Sequence, residues 1–183
     1  TDSLLLGIIM AMLTGAIFGL ALAYFTTSLK MNQFVIGLAL FFIGLGVSTL
    51  IPKLVLGITL TPPLIPTLKG IPIPLLSQIP FIGPILFNQN ILVYVSILVS
   101  IALWYFLFRT QKGLELRSVG EHPMTADSLG INTTKMRYWS TIIGGMLIGM
   151  SGAYLPMVYA GTFTEGMVMG RGWIAIALKL GRA

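Results

Sequence analysis

RTQKGLELRSVGEHPMTADSLGINTTKMR, residues 109–137, is a charged island in an otherwise oily chain. It holds five of the eleven Lys/Arg residues, three of the five acidic residues and the single histidine, His122. No charged residue occurs in 70–108 before it or in 138–164 after it. A polar segment pinned between two apolar runs of membrane-spanning length reads as a water-facing connection between two spans.

The composition agrees. Hydrophobic residues make up 56% of the 183 and charged residues 9%, with a mean hydropathy of +0.94. A soluble domain carries roughly 25% charged residues to solvate its surface, so lipid must be the solvent here. A transmembrane helix needs roughly 20 mostly apolar residues. Residues 4–24, 34–51, 91–108 and 138–157 qualify, and a partial fifth span begins at Trp173. The expected fold class is an all-α, polytopic helical bundle with four complete spans, the partial fifth and a short helix in the island. The N-terminal run lacks a basic flank and is too long for a signal-peptide core.

The net charge of +6 does not point to nucleic acid, because no Lys/Arg stripe follows a helix face. It reads as a sidedness signal. Trp104 and Tyr105 bracket the island on one side, Tyr138 and Trp139 on the other, and such aromatics favour the headgroup level. The island and the turn at Lys30 are therefore expected on the cytoplasmic face, with 52–89 outside. That outer segment carries eight of the ten prolines, too many for a regular helix, and reads as an apolar extracytoplasmic loop.

Gly7, Ala11, Gly15, Gly19 and Ala23 fall at every fourth position, and Gly145 and Gly149 repeat the pattern before Gly152. Lipid offers no hydrophobic drive between helices, so small residues that admit close backbone approach hold a bundle together. No ionisable residue lies inside the four spans, which disfavours a proton relay. Cysteine is absent, no Walker-type phosphate loop occurs, and no cofactor or metal is expected.

Inside the island, Pro123 suits a first helical position, and Gly130 suits the left-handed stop after the last turn. Asn132 or Thr133 can cap the following span. A helix of about two turns is too short to stand alone, so it must lean on the bundle or on a partner.

The run Arg117-Ser118-Val119-Gly120-Glu121-His122-Pro123, with Ala126, Leu129, Gly130 and Ile131, resembles the cytoplasmic coupling segment of ABC importer permeases. The subgroup it resembles moves simple sugars, nucleosides and branched-chain amino acids. Gly144-Gly145, Gly149, Ser151-Gly152-Ala153, Phe163-Thr164-Glu165-Gly166-Met167 and Gly170-Arg171-Gly172-Trp173 extend the likeness. The outer-loop motif Ile79-Pro80-Phe81-Ile82-Gly83-Pro84-Ile85-Leu86-Phe87 leans it towards nucleoside permeases. The resemblance implies a non-enzymatic transport subunit in a prokaryotic cytoplasmic membrane. Its implied partners are cytoplasmic ABC ATPase subunits, a second permease subunit and an extracytoplasmic substrate-binding lipoprotein.

It further implies that Glu121, Pro123, Ala126, Leu129, Gly130 and Ile131 form the ATPase-coupling element, with Ala126 allowing close approach and Leu129 buried in the partner. His122 stands where the family has a better-capping Asn, and reads as a solvated cap. Asn32, Gln33, Ser48, Thr49, Ser96 and Ser100 are candidates for a polar substrate path, since neutral hydrogen-bonding groups suit hydroxylated solutes. A passive channel, a structural membrane subunit and a branched-chain amino acid permease stay open as alternatives. The atypical 176–182 stretch and the missing initiator Met read as those of a piece of a longer chain.

Overall fold

A computed structural model describes residues 2–57, 89–164, 166–168 and 170–180, and among them the protein is helical with no β-strand. In chain order the helices are α1 (Asp2–Ala23), α2 (Gln33–Leu56), α3 (Ile91–Arg109), α4 (Gln111–Glu121), α5 (Pro123–Ser128), α6 (Thr133–Tyr154) and α7 (Arg171–Leu180). A π-helical segment, Tyr24–Ser28, prolongs α1, and a second, Leu155–Ala160, prolongs α6. Four stretches are long and apolar enough to cross a membrane: Leu4–Ser28, Gln33–Val55, Ile91–Arg109 and Thr133–Ala160. The chain is a polytopic helical membrane protein.

α1 and α6 form the principal pairing, and the small residues explain it. They run antiparallel, with Ala11 against Gly149, Gly15 against Gly145 and Gly19 against Thr141. A methyl group on Gly15 would overlap the Gly145 carbonyl oxygen, and one on Gly145 would overlap that of Gly15. The backbones are in direct contact, the arrangement that small residues permit in lipid. Gly152, which follows the stripe in sequence, faces open space. Ala153, only 7% exposed, continues the four-residue period instead.

Buried and exposed residues are distributed as lipid dictates. Of the five buried hydrophobics among the described residues, three are alanines, whereas Phe34, Leu54 and Ile148 each expose 70% or more of their surface. Large apolar side chains lose nothing by facing lipid tails, and small ones are needed where helices meet.

Two span ends differ from the sequence expectation. α2 runs through Pro52 to Leu56 rather than stopping at Ile51. Proline removes the N–H that the Ser48 carbonyl would otherwise receive, a defect that membrane helices tolerate. α6 starts at Thr133, capped by Asn132 as expected, and Tyr138 lies in its second turn. Its π segment absorbs Pro156 and carries the helical path to Ala160, as π-bulges do. Most of the expected outer loop, residues 58–88, lies outside the described residues. α7 begins at Arg171, whose guanidinium sits 5.1 Å over the Tyr159 ring.

The island and the Lys30 turn lie at the same end of the α1/α6 pair. The Ser28 and Tyr138 hydroxyls share a 2.5 Å hydrogen bond. Lys30 itself adopts the left-handed conformation (φ 51°) that ends the π segment.

Candidate functional site

The island is a folded helical unit rather than a loop with one helix in it. α4, an 11-residue helix, was not expected. Thr110 starts it: its hydroxyl donates to the Phe106 carbonyl at 2.6 Å and accepts from the Gly113 N–H at 3.1 Å. Gly113 is buried against the last turn of α3, where a methyl group would overlap the Phe106 carbonyl oxygen. The Arg117 guanidinium lies 4.7 Å over the Phe108 ring, a cation–π contact that fastens α4 to the end of α3. Val119, 3% exposed, completes the inner face. Gly113, Leu116 and Val119 recur at three-residue spacing, and this with the Thr110 cap is the signal that a charge-based reading passes over.

α4 ends at Glu121, and the chain turns at His122 into α5. The His122 N–H donates to Ser118 and its carbonyl accepts from Ala126. His122 stands exposed at the N-cap of α5, as expected, but its side chain makes no capping hydrogen bond. At φ −137° and ψ 81° the residue is a bend between two helices. Pro123 takes the first helical position, as expected.

α5 is six residues long and is held from both ends. Ala126 is 1% exposed. It packs inside the chain, so its small side chain serves this contact rather than close approach to a partner. The Ile131 N–H bonds the Ala126 carbonyl, and the Gly130 N–H bonds that of Asp127, which together make a Schellman stop. Gly130 sits at φ +82° with open space where a side chain would project. Gly130→Ala therefore meets no clash and costs only backbone strain, about 1 kcal/mol. Thermal unfolding of the purified protein should show a midpoint lower by a few degrees, with Gly130→Asn losing less.

With Ala126 facing inward, α5 presents the opposite face to solvent. Met124 is 90% exposed and Leu129 75%. Glu121 is also exposed, and neither it nor Asp127 has an ion-pair partner among the described residues. Ile131 is half-buried. Met124, which the sequence reading left out, is the most exposed large apolar side chain described.

The candidates for a substrate path are not brought together. The Ser96 hydroxyl donates to the Val93 carbonyl, and that of Ser100 to Ser96, both within α3. Thr49 donates to Gly46 within α2, and Ser48 is exposed. Asn32 caps α2, its side chain accepting from the Phe34 N–H at 2.9 Å. Gln33 lines a cleft of about 350 Å³ at the island end. Its other polar walls are Thr26, Thr27, Arg137, Ser140 and Thr141.

Residues 1–180 match the family described as branched-chain amino acid transport system / permease component. The guanosine ABC transporter permease protein NupQ of Bacillus subtilis is 39% identical over 176 residues, 94% of this chain and 54% of that protein. TsgC13 of Haloferax volcanii, named for glucose ABC transport, is 35% identical over 158 residues, covering 85% and 47%. The nucleoside ABC transporter permease protein NupC of Lactococcus lactis is 43% identical over 109 residues, covering 59% and 34%. The chain spans about half the length of the first two relatives and a third of NupC. No solved structure matches it.

Proposed function

The chain belongs to the branched-chain amino acid transport system / permease component family, and from that premise we propose that it is the membrane subunit of an ABC importer for nucleosides. One observation carries the mechanical part of this reading. A short helix, anchored by buried Ala126, holds Met124 and Leu129 out into solvent at the polar end of the spans. Bare apolar side chains on a structured, water-facing helix mark a protein-docking surface. The partner that fits is a cytoplasmic ATPase, because the chain has no phosphate-binding loop of its own. Glu121, Pro123, Leu129, Gly130 and Ile131 are the coupling element, joined by Met124, with Ala126 as its anchor. A second permease subunit and an extracytoplasmic binding lipoprotein complete the transporter in a prokaryotic cytoplasmic membrane.

The nucleoside assignment rests on the names of NupQ and NupC, and TsgC13 keeps simple sugars as the second reading. Uptake of labelled solute by the assembled transporter separates them. Guanosine should accumulate with ATP, unlabelled guanosine should compete and ribose should not. Competition by ribose or leucine alone would move the substrate class. Equilibration without ATP would make the protein a facilitator.

A further inference from the structure

We infer that the cleft at the island end is a binding site for the head group of an inner-leaflet phospholipid carrying one phosphate and free hydroxyls, phosphatidylglycerol being the simplest. Its walls come from four elements. Thr26 and Thr27 stand on the π segment after α1, Gln33 begins α2, Arg137 and Ser140 lie in the first turns of α6, and Leu116 comes from α4.

The hydrogen-bonding capacity of these walls sorts into two sets. The Thr26 hydroxyl donates to the Leu22 carbonyl at 2.7 Å, and Ser140 and Thr141 both donate to the Arg137 carbonyl, at 3.0 and 2.8 Å. Their protons are engaged, so they offer the cleft acceptor lone pairs. Gln33, Thr27 and the Arg137 guanidinium have no hydrogen-bond or ion partner among the described residues; the guanidinium offers only donors, and Gln33 and Thr27 add donors beside their own acceptor oxygens. Among the described residues no carboxylate lines the cleft. A bare inorganic anion would use the donors but not the hydroxyl acceptors, whereas a neutral polyol would gain no charge-assisted bond from the guanidinium. A glycerol phosphate head group meets both sets, phosphate to Arg137, Gln33 and Thr27, hydroxyls to Ser140, Thr141 and Thr26.

The position agrees. The cleft lies where two spans end and the Tyr138 ring reaches Ser28, the headgroup level on the side that carries the basic island. Leu22, Met31 and Leu116 supply an apolar floor beside the polar groups, as the glycerol ester region of a lipid requires. Basic pockets between membrane helices on the cytoplasmic side are suited to anionic head groups.

The test is thermal unfolding of the protein, isolated in detergent with whatever subunits stay bound, on adding dioleoylphosphatidylglycerol, dioleoylphosphatidylcholine, inorganic phosphate or guanosine. Phosphatidylglycerol should raise the midpoint by about 3 °C or more, and the other three should not. Arg137→Gln should abolish the shift. Lys135→Gln, which removes a neighbouring charge that does not line the cleft, should keep it. The proposal is overturned by no shift with phosphatidylglycerol, an equal shift in Arg137→Gln, or equal loss in Lys135→Gln, which would mean a diffuse field. Protection by phosphate or guanosine in its place would reassign the cleft to a free anion or to the transport path.

Discussion

Gly15→Val should leave almost no folded, monodisperse protein, and Gly145→Val should do the same. At both positions the added Cβ would land on the backbone of the opposing helix, which cannot rotate away as a side chain can. The helices would have to separate, and each step apart loses the dispersion contacts that lipid cannot replace. Overpacking a core costs about 1–3 kcal/mol even where side chains can yield, against a total stability of about 5–15 kcal/mol. Here the seam repeats at Ala11–Gly149 and Gly19–Thr141, so one wedge loosens every layer. The molecule supplies its own controls. Gly37, Gly46, Gly144 and Gly152 have open space beside them, and alanine there should shift the unfolding midpoint little. Gly7 is intermediate, since its neighbour is the flexible end of Met157. Fluorescence-detected size exclusion with a thermal ramp reads all of these. Equal loss at Gly144 and Gly145 would sink the seam as the basis of the fold.

The seam also shows where sequence suffices. A four-residue period of glycine and alanine announces a helix face that wants a partner. It does not name the partner, because every small-residue stripe looks alike, and Gly152 against Ala153 was decided only by the register of α6. Span existence was legible because hydropathy integrates over a whole helix. Span ends were not, because Pro52 and Pro156 read as breakers while a membrane helix can absorb them by a missing bond or a π segment. In the island, Pro123 and Gly130 were legible because their backbone demands are local. α4 was hidden because its polar sequence masks a burial face as narrow as Gly113, Leu116 and Val119. Hydroxyl residues inside the spans were the least informative. Ser96, Ser100 and Thr49 all bond carbonyls of their own helix, a local satisfaction that no sequence pattern separates from a role towards solute.

Met124→Asp combined with Leu129→Asp should release the ATPase and abolish uptake while leaving the membrane subunit folded. Both side chains stand almost bare, so their removal costs the isolated subunit little, and its midpoint should move by less than about 1 °C. In the assembled transporter they would be buried. Fully burying such a side chain contributes about 1.5–3 kcal/mol, and a buried carboxylate adds its desolvation cost. Even the lower figure, taken twice, corresponds to about a hundredfold loss of affinity, visible as loss of the ATPase on co-purification. Glu121→Arg with Leu129→Asp should act the same way, since Glu121 has no ion-pair partner of its own among the described residues and its charge is available to a basic partner. Ala126→Leu is the contrasting variant. It would force α5 off the bundle from inside, lowering the thermal midpoint first and binding only as a consequence. The rigidity of the mounting is what gives the docking face mechanical meaning. α4 is clamped to α3 through the Gly113 elbow and the Arg117–Phe108 contact, α5 follows α4 directly at the His122 bend, and the chain enters α6 at the Asn132 cap. α6 in turn touches α1 backbone to backbone. A push on Met124 and Leu129 therefore has a stiff path into the paired spans, provided the partner grips them differently in its two states. If the ATPase stays bound to both double variants, α5 is only a seal on the bundle, and the handle lies elsewhere.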